Sequence, residues 1–467
     1  MLSIIGPGSN RTCEGRTRRE FLQIGTLGIG GLTLPALLAA QAHAGSNGGF
    51  VRDKAVVVLN LQGGPTHIET FDPKMSAPVE NRAMFGEVKT NIPGVTFGSH
   101  FPMLASMADR LAIVRSFSHG NSSHGNAAAL VAAGGNPTKA AMGSLYARLA
   151  GSTNATSGIP NNVVLPPPAA GKMYKGLGAQ TERVTGVGTL SKAYKAFDPS
   201  AGSQVLNNME LQVPQKRLDD RRELLTQLDR IKRAADASGT LAGADRFQQQ
   251  AFDVITGGVG EAFDLSQEDP KLVERYDTGA YGIPKKLQKK KSNVPAQSPI
   301  ALGKQMLMAR RLVEAGCGFI TVTSAGWDMH GNAFGINDGM PLLGPAVDKA
   351  ASAFLDDLAD RGMSEKVLLI ITGEFGRTPR INNKGGRDHW GNLCTLAMAG
   401  GGLRVGQVVG NSDRIAAKPA ADPVTVDQLL GTVMHTLFDV GTLRITSGVP
   451  ADLNRAVTSV QPIPQLV

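Results

Sequence analysis

Cysteine is scarce, with three in 467 residues, which excludes a disulfide-stapled scaffold. Aromatic residues make up only 5% of the chain, and no basic face is interleaved with them. That removes the stacking platforms on which nucleic-acid binding relies, so no nucleic-acid partner is expected. Charged residues are few as well, at 19%; a mainly disordered chain would be polar and highly charged. Beyond the N-terminal leader no 18 residues in a row are apolar, so the mature chain is expected to hold no stable membrane span. No repeat with a period of 20–50 residues is apparent. What is abundant is glycine, 57 residues, without the G-X-Y period of collagen.

The formal net charge is +9, which invites a polyanion as partner. The charge is local, however. Arg11, Arg16, Arg18 and Arg19 belong to a basic N-terminal stretch, and five lysines crowd Lys285–Lys291. The remainder is nearly neutral. The lysine run, flanked by Pro, Ser and Asn, reads as a solvated loop.

The first 44 residues have the three parts of a secretory signal: a basic start, an apolar Gly-rich run from Ile24 to Ala40, and the small-x-small site Ala42-His43-Ala44. Thr17-Arg18-Arg19-Glu20-Phe21-Leu22 resembles the twin-arginine motif, which is read by an export receptor. The expectation is an exported protein of the periplasm or cell surface, with the twin-arginine machinery as partner. Cys317 and Cys394 sit in apolar runs and are expected as buried free thiols.

Along the mature chain, strand and helix patterns alternate. Residues 54–62 form a continuous β-branched apolar run, the pattern of a strand buried on both faces. Strands are expected again at 111–114, 163–165, 318–324, 367–372 and 393–399. Helices are expected at 99–110, 126–133, 300–315 and 344–361. This predicts an α/β fold around a largely parallel sheet. Its first part spans 50–204 and its second 299–460. Between them, 205–298 reads as a helical insertion or cap, because Leu218, Leu225, Leu228 and Ile231 mark an amphipathic helix.

Three strands deliver polar residues just past their C-terminal ends: His67, Asp328 with His330, and Glu374. In doubly wound sheets that edge is where sites form. Asp328-x-His330 is a chelating spacing, and His389 could close the set; imidazole and carboxylate suit zinc, manganese or iron. Asp388 could orient a histidine instead. The segment Ser118–Asn126, ahead of an Ala-rich helix, would aim backbone amides at an anion. Arg377 and Arg387 could clamp a phosphate, sulfate or carboxylate, or serve as ion pairs.

Four stretches in order, Leu61–Lys74, Gly326–Asn332, Gly373–Pro379 and Gly386–Trp390, resemble the exported bacterial domain-of-unknown-function family fifteen-oh-one. That family is similar to the alkaline-phosphatase and sulfatase superfamily. The resemblance implies an alkaline-phosphatase-like three-layer sandwich and metal-dependent hydrolysis of phosphate or sulfate esters. Asp328, His330 and His389 match one superfamily metal site. The second site is altered: Gln62 stands where an Asp is expected, and Glu374-Phe375 where Asp-His is expected. The nucleophile position falls on His124, beside Ser122 and Ser123.

The resemblance thus implies one divalent ion (zinc, manganese or calcium) on Asp328, His330 and His389. Glu374 would be a fourth ligand or a general base. His124 would be a ligand, an acid/base or a nucleophile, and Arg377 and Arg387 would bind the ester anion. The competing expectation is a non-catalytic exported binding protein for an acidic polysaccharide.

Overall fold

A computed structural model describes residues 49–201, 259–289, 294–332 and 334–467. The expected leader (1–44) and most of the expected helical insertion (205–298) lie outside the described residues. The unit discussed below is Phe50–Val467.

Strand β1 (Ala55–Leu61) is the apolar run read from the sequence, and every residue but Val58 is buried. It is followed in chain order by β2 (Glu87–Lys89), β3 (Thr96–Gly98), β4 (Leu111–Val114), β5 (Asn162–Leu165), β6 (Phe319–Ser324), β7 (Val367–Thr372), β8 (Gly376–Arg377), β9 (His389–Trp390), β10 (Leu396–Gly400) and β11 (Gln407–Val409). Seven of them form one sheet in the order β11-β4-β10-β7-β1-β6-β5. Parallel partners flank β1, with Val57 opposite Ile320 on β6 and Leu369 on β7. Strand β10 alone runs against its neighbours, β7 and β4. The sheet is therefore mostly parallel, as expected.

Because successive side chains alternate between faces, the sheet has two cores. On one face Val57, Leu59, Ile320 and Leu369 pack under helices α4 (Leu302–Glu314) and α5 (Ile336–Asp360). On the other, Val56, Phe319, Leu368 and Ile370 pack under α1 (His124–Ala133), α2 (Met142–Ala150) and α6 (Val426–Leu437). Helix α3 (Gly178–Val184) lies beside α1. The result is a three-layer α/β/α sandwich.

Three local readings change. Helix α5 begins at Ile336, eight residues before the expected start, and runs through Pro341 and Pro345. Ile336, Met340 and Leu343 are fully buried. Their packing outweighs the hydrogen bonds lost at each proline. The region expected as helix 99–110 is a short helix, Pro102–Ser106, followed by a 3-10 turn. Lys285–Gln288, read as loop, makes one helical turn. No helix among the described residues is long and apolar enough to cross a membrane.

Candidate metal centre

The loops after β1, β6 and β7 meet at the sheet's C-terminal edge. Gly63, just after β1, has φ +115°, and a Cβ there would collide with the Asp328 backbone nitrogen. Only glycine lets these two loops touch. The ribbon β8–β9 then sets Arg377 directly opposite His389. Helix α1 starts at His124 after Ser123, whose side chain makes no capping bond, and it closes on left-handed Gly134.

Asp328 is the hub. Its Oδ1 lies 2.9 Å from His330 Nε2, 3.2 Å from His389 Nε2 and 3.5 Å from His124 Nε2. The Nε2 atoms of His330 and His389 are 2.8 Å apart. Each imidazole also rests its Nδ1 on an acceptor: His124 on Glu374 Oε1 at 2.8 Å, His330 on Asp388 Oδ1 at 3.0 Å, and His389 on the Ser122 carbonyl at 3.0 Å. One tautomer, with Nδ1 protonated, satisfies all three rings. It leaves three Nε2 lone pairs facing one carboxylate, a concentration of negative potential that a cation at its centre would neutralise. His124, Asp328 and His389 form a group that could hold a metal ion, with one ligand atom from each within 4.8 Å of the others.

A proton on Nε2 can stand where the cation would, each ring then donating to Asp328. Burial by itself would raise the Asp328 carboxyl, but hydrogen bonds from His124, His330 and His389 and the charge of Arg377 hold it far below the carboxylate range. Burial pulls the His124 imidazole down, while its bonds to Asp328 and Glu374 prevail and lift it to about 9. His330 is raised, chiefly by Asp328. Asp388 is lowered, chiefly by its bond to His330.

Asp328, His330, His389, His124, Glu374 and Arg377 lie in this network and Arg387 and His67 do not; several roles also differ from the expectation. Glu374 is buried, and its Oε1 takes the Gly63 N–H as well as His124. It sits behind His124 and orients that ring. His124 itself has its Nε2 turned to Asp328, in a ligand's position.

The two arginines do not form the expected anion clamp. Arg377 is 1% exposed, and its guanidinium is spent on Asp328 (2.6 Å) and on the carbonyls of Gly63, Gly64, Trp327 and Arg387. It ties the three loops together. Arg387 is fully buried, paired with Glu69 at 3.1 Å and with the carbonyls of Arg82, Thr378 and Pro379. It cannot reach a ligand at Asp328 while those bonds hold.

Glu69 was not singled out from the sequence, although it lies inside the first motif; nothing local marks it as the partner of a residue so far along the chain. Asp388 orients His330 rather than its neighbour His389. His67 lies apart, with Nε2 on the Ala416 carbonyl at 2.9 Å. Burial pushes its imidazole down to about 4. His119 bridges the Glu374 carbonyl and the Cys394 thiol, and Cys317 and Cys394 are buried and free, as expected.

No curated protein matches the chain. Among solved structures it is similar to a sulfatase from Pseudoalteromonas sp., with 12% identity and a TM-score of 0.32 over 81% of this chain and 68% of that one. A family match takes in all four motifs and the whole of the centre described above. Over residues 53–459 the chain belongs to the family described as protein of unknown function (DUF1501).

Proposed function

We propose that this protein is an exported, metal-dependent hydrolase of phosphate or sulfate esters, built on an alkaline-phosphatase-like sandwich with a single metal centre. The observation that carries the proposal is the convergence of three imidazole Nε2 atoms on Asp328, each ring locked from behind by an acceptor. His124, His389 and Asp328 would hold the ion, with His330 beside them. A donor set so rich in nitrogen fits zinc or manganese and disfavours calcium, which takes oxygen ligands. When bound, such an ion supplies a water acidified to a pKa of about 7.

The chain's own residues prepare the rest. Glu374 and Asp388 keep the Nδ1 protons of His124 and His330 in place, which fixes ring orientation. Arg377 keeps Asp328 ionised and immobile. Helix α1 points its N-terminus at the centre with no side-chain cap, a favourable end for an anionic ester. Among the described residues no hydroxyl or thiol bonds to Asp328, His124, His330 or His389. The twin-arginine machinery would deliver the protein to the periplasm or cell surface, where an ester-bearing acidic polysaccharide is a suitable substrate.

A non-catalytic binding protein is the second reading, and the internal use of both arginines favours it. The test is metal analysis of the mature protein and of His389→Ala, with turnover of 4-nitrophenyl phosphate and sulfate under added zinc or manganese. One tightly held ion in the wild type, lost in the variant together with turnover, supports the hydrolase. Equal metal content in both proteins refutes the centre. An ion without turnover leaves the binding protein.

A further inference from the structure

Val58 sits at the middle of β1, the central strand of the seven, yet it is only half-buried. The helical layer does not close over it. A cavity on that face is lined by Val58, Asn60, Thr372, Ala128 and Ala132, and its wall includes Glu374, which holds His124 from behind. Ala128 and Ala132 lie one and two turns below His124 on the same face of α1. The small alanine side chains leave the space. The cavity has a volume of about 40 Å³, room for roughly three or four heavy atoms at ~10–15 Å³ each.

The cavity is not purely apolar. Asn60 is 6% exposed and lines it, and its Nδ2 has no hydrogen-bond partner. A buried amide N–H left unpaired costs free energy that a ligand acceptor would recover.

A group that fills this space must be small, present a methyl to Val58 and Ala128, and offer one acceptor to Asn60. We infer that the cavity receives a short acyl group, acetyl in size, carried by the substrate next to its ester. This rests on the hydrolase reading and narrows it to esters of acylated units, such as those of an acetylated polysaccharide.

The test is ligand-observed NMR on the metal-loaded mature protein, with N-acetylglucosamine and glucose as a neutral probe pair. The inference expects saturation transfer to the acetyl methyl of the first probe and at least tenfold weaker binding of glucose. Ala128→Leu should abolish the transfer with metal content unchanged, and Asn60→Ala should weaken binding about tenfold. Equal binding of the two probes, or an Ala128→Leu protein that holds its metal and still shows the methyl signal, overturns it. Acetyl selectivity without any ester turnover would sink the hydrolase reading and leave the cavity assignment standing. Turnover without acetyl selectivity would do the reverse.

Discussion

Arg387→Met separates the two roles open to that arginine. In the structure its guanidinium faces Glu69, and both side chains are buried, at 0% and 2% exposure. Removing one partner of such a pair strands the other charge and costs about 3–5 kcal/mol. Unfolding entropy near the midpoint is roughly 2.1 cal/mol/K per residue, so for a unit the size of Phe50–Val467 the expected fall in Tm is about 3–6 °C.

The loss should depend on pH. Burial already raises the Glu69 carboxyl despite the opposing pull of Arg387. Without Arg387 it rises further. A group raised in the folded state contributes stability at low pH and loses it as pH climbs through the folded value. The variant should therefore lose more at pH 8 than at pH 5. Glu69→Gln added to Arg387→Met removes the stranded charge while keeping an acceptor for the Met84 N–H, and should recover at least half of the loss. Scanning calorimetry of the three proteins at both pH values measures all of this. An Arg387→Met protein with unchanged Tm and a raised KM for aryl esters would refute the reasoning and return Arg387 to the substrate.

Gly63→Ala should push the Asp328 loop away from β1 and cut metal affinity at least tenfold, measured by competition with a chelator. Glu374→Ala removes the acceptor behind His124 and frees that ring to reorient; loss of such an outer partner typically weakens metal binding about 10–100-fold, which the same titration reads. His67 carries an acid limb: its folded value of about 4 lies below the ordinary 6.5, so its contribution is complete above pH 6.5 and disappears as pH falls toward 4. That amounts to about 3 kcal/mol at 1.36 kcal/mol per pH unit, and His67→Gln should flatten the decline of Tm over that interval.

The central strands were legible because a strand covered on both faces must be mostly apolar, and 55–59, 319–322 and 367–371 carry a single polar residue, Thr321. The direction of β10 was not, since its residues read the same whichever way it runs. At the centre, the sequence marked Asp328, His330, Glu374 and His389 as polar residues past strand ends. It could not show that His124 faces Asp328, because the two are brought together only by the packing of α1 on the sheet. Nor could it distinguish an arginine aimed at a ligand from one consumed by Glu69. That distinction rests on long-range pairing, and a motif carries only the residue types.

The reversed direction of β10 has a further consequence. Strand β7 ends, and β10 begins, at the same edge of the sheet, so the segment between them leaves and returns without crossing the barrier of the sheet. It carries Glu374, Arg377, Arg387, Asp388 and His389. It is thus a cassette, attached at two adjacent points and free to change length without re-threading the scaffold. A family that diversifies its chemistry can do so there while the strands beneath stay as they are. A single proteolytic nick in the same segment would leave Glu374 joined to β7 and His389 to β10, cutting the covalent link between them with the sandwich whole.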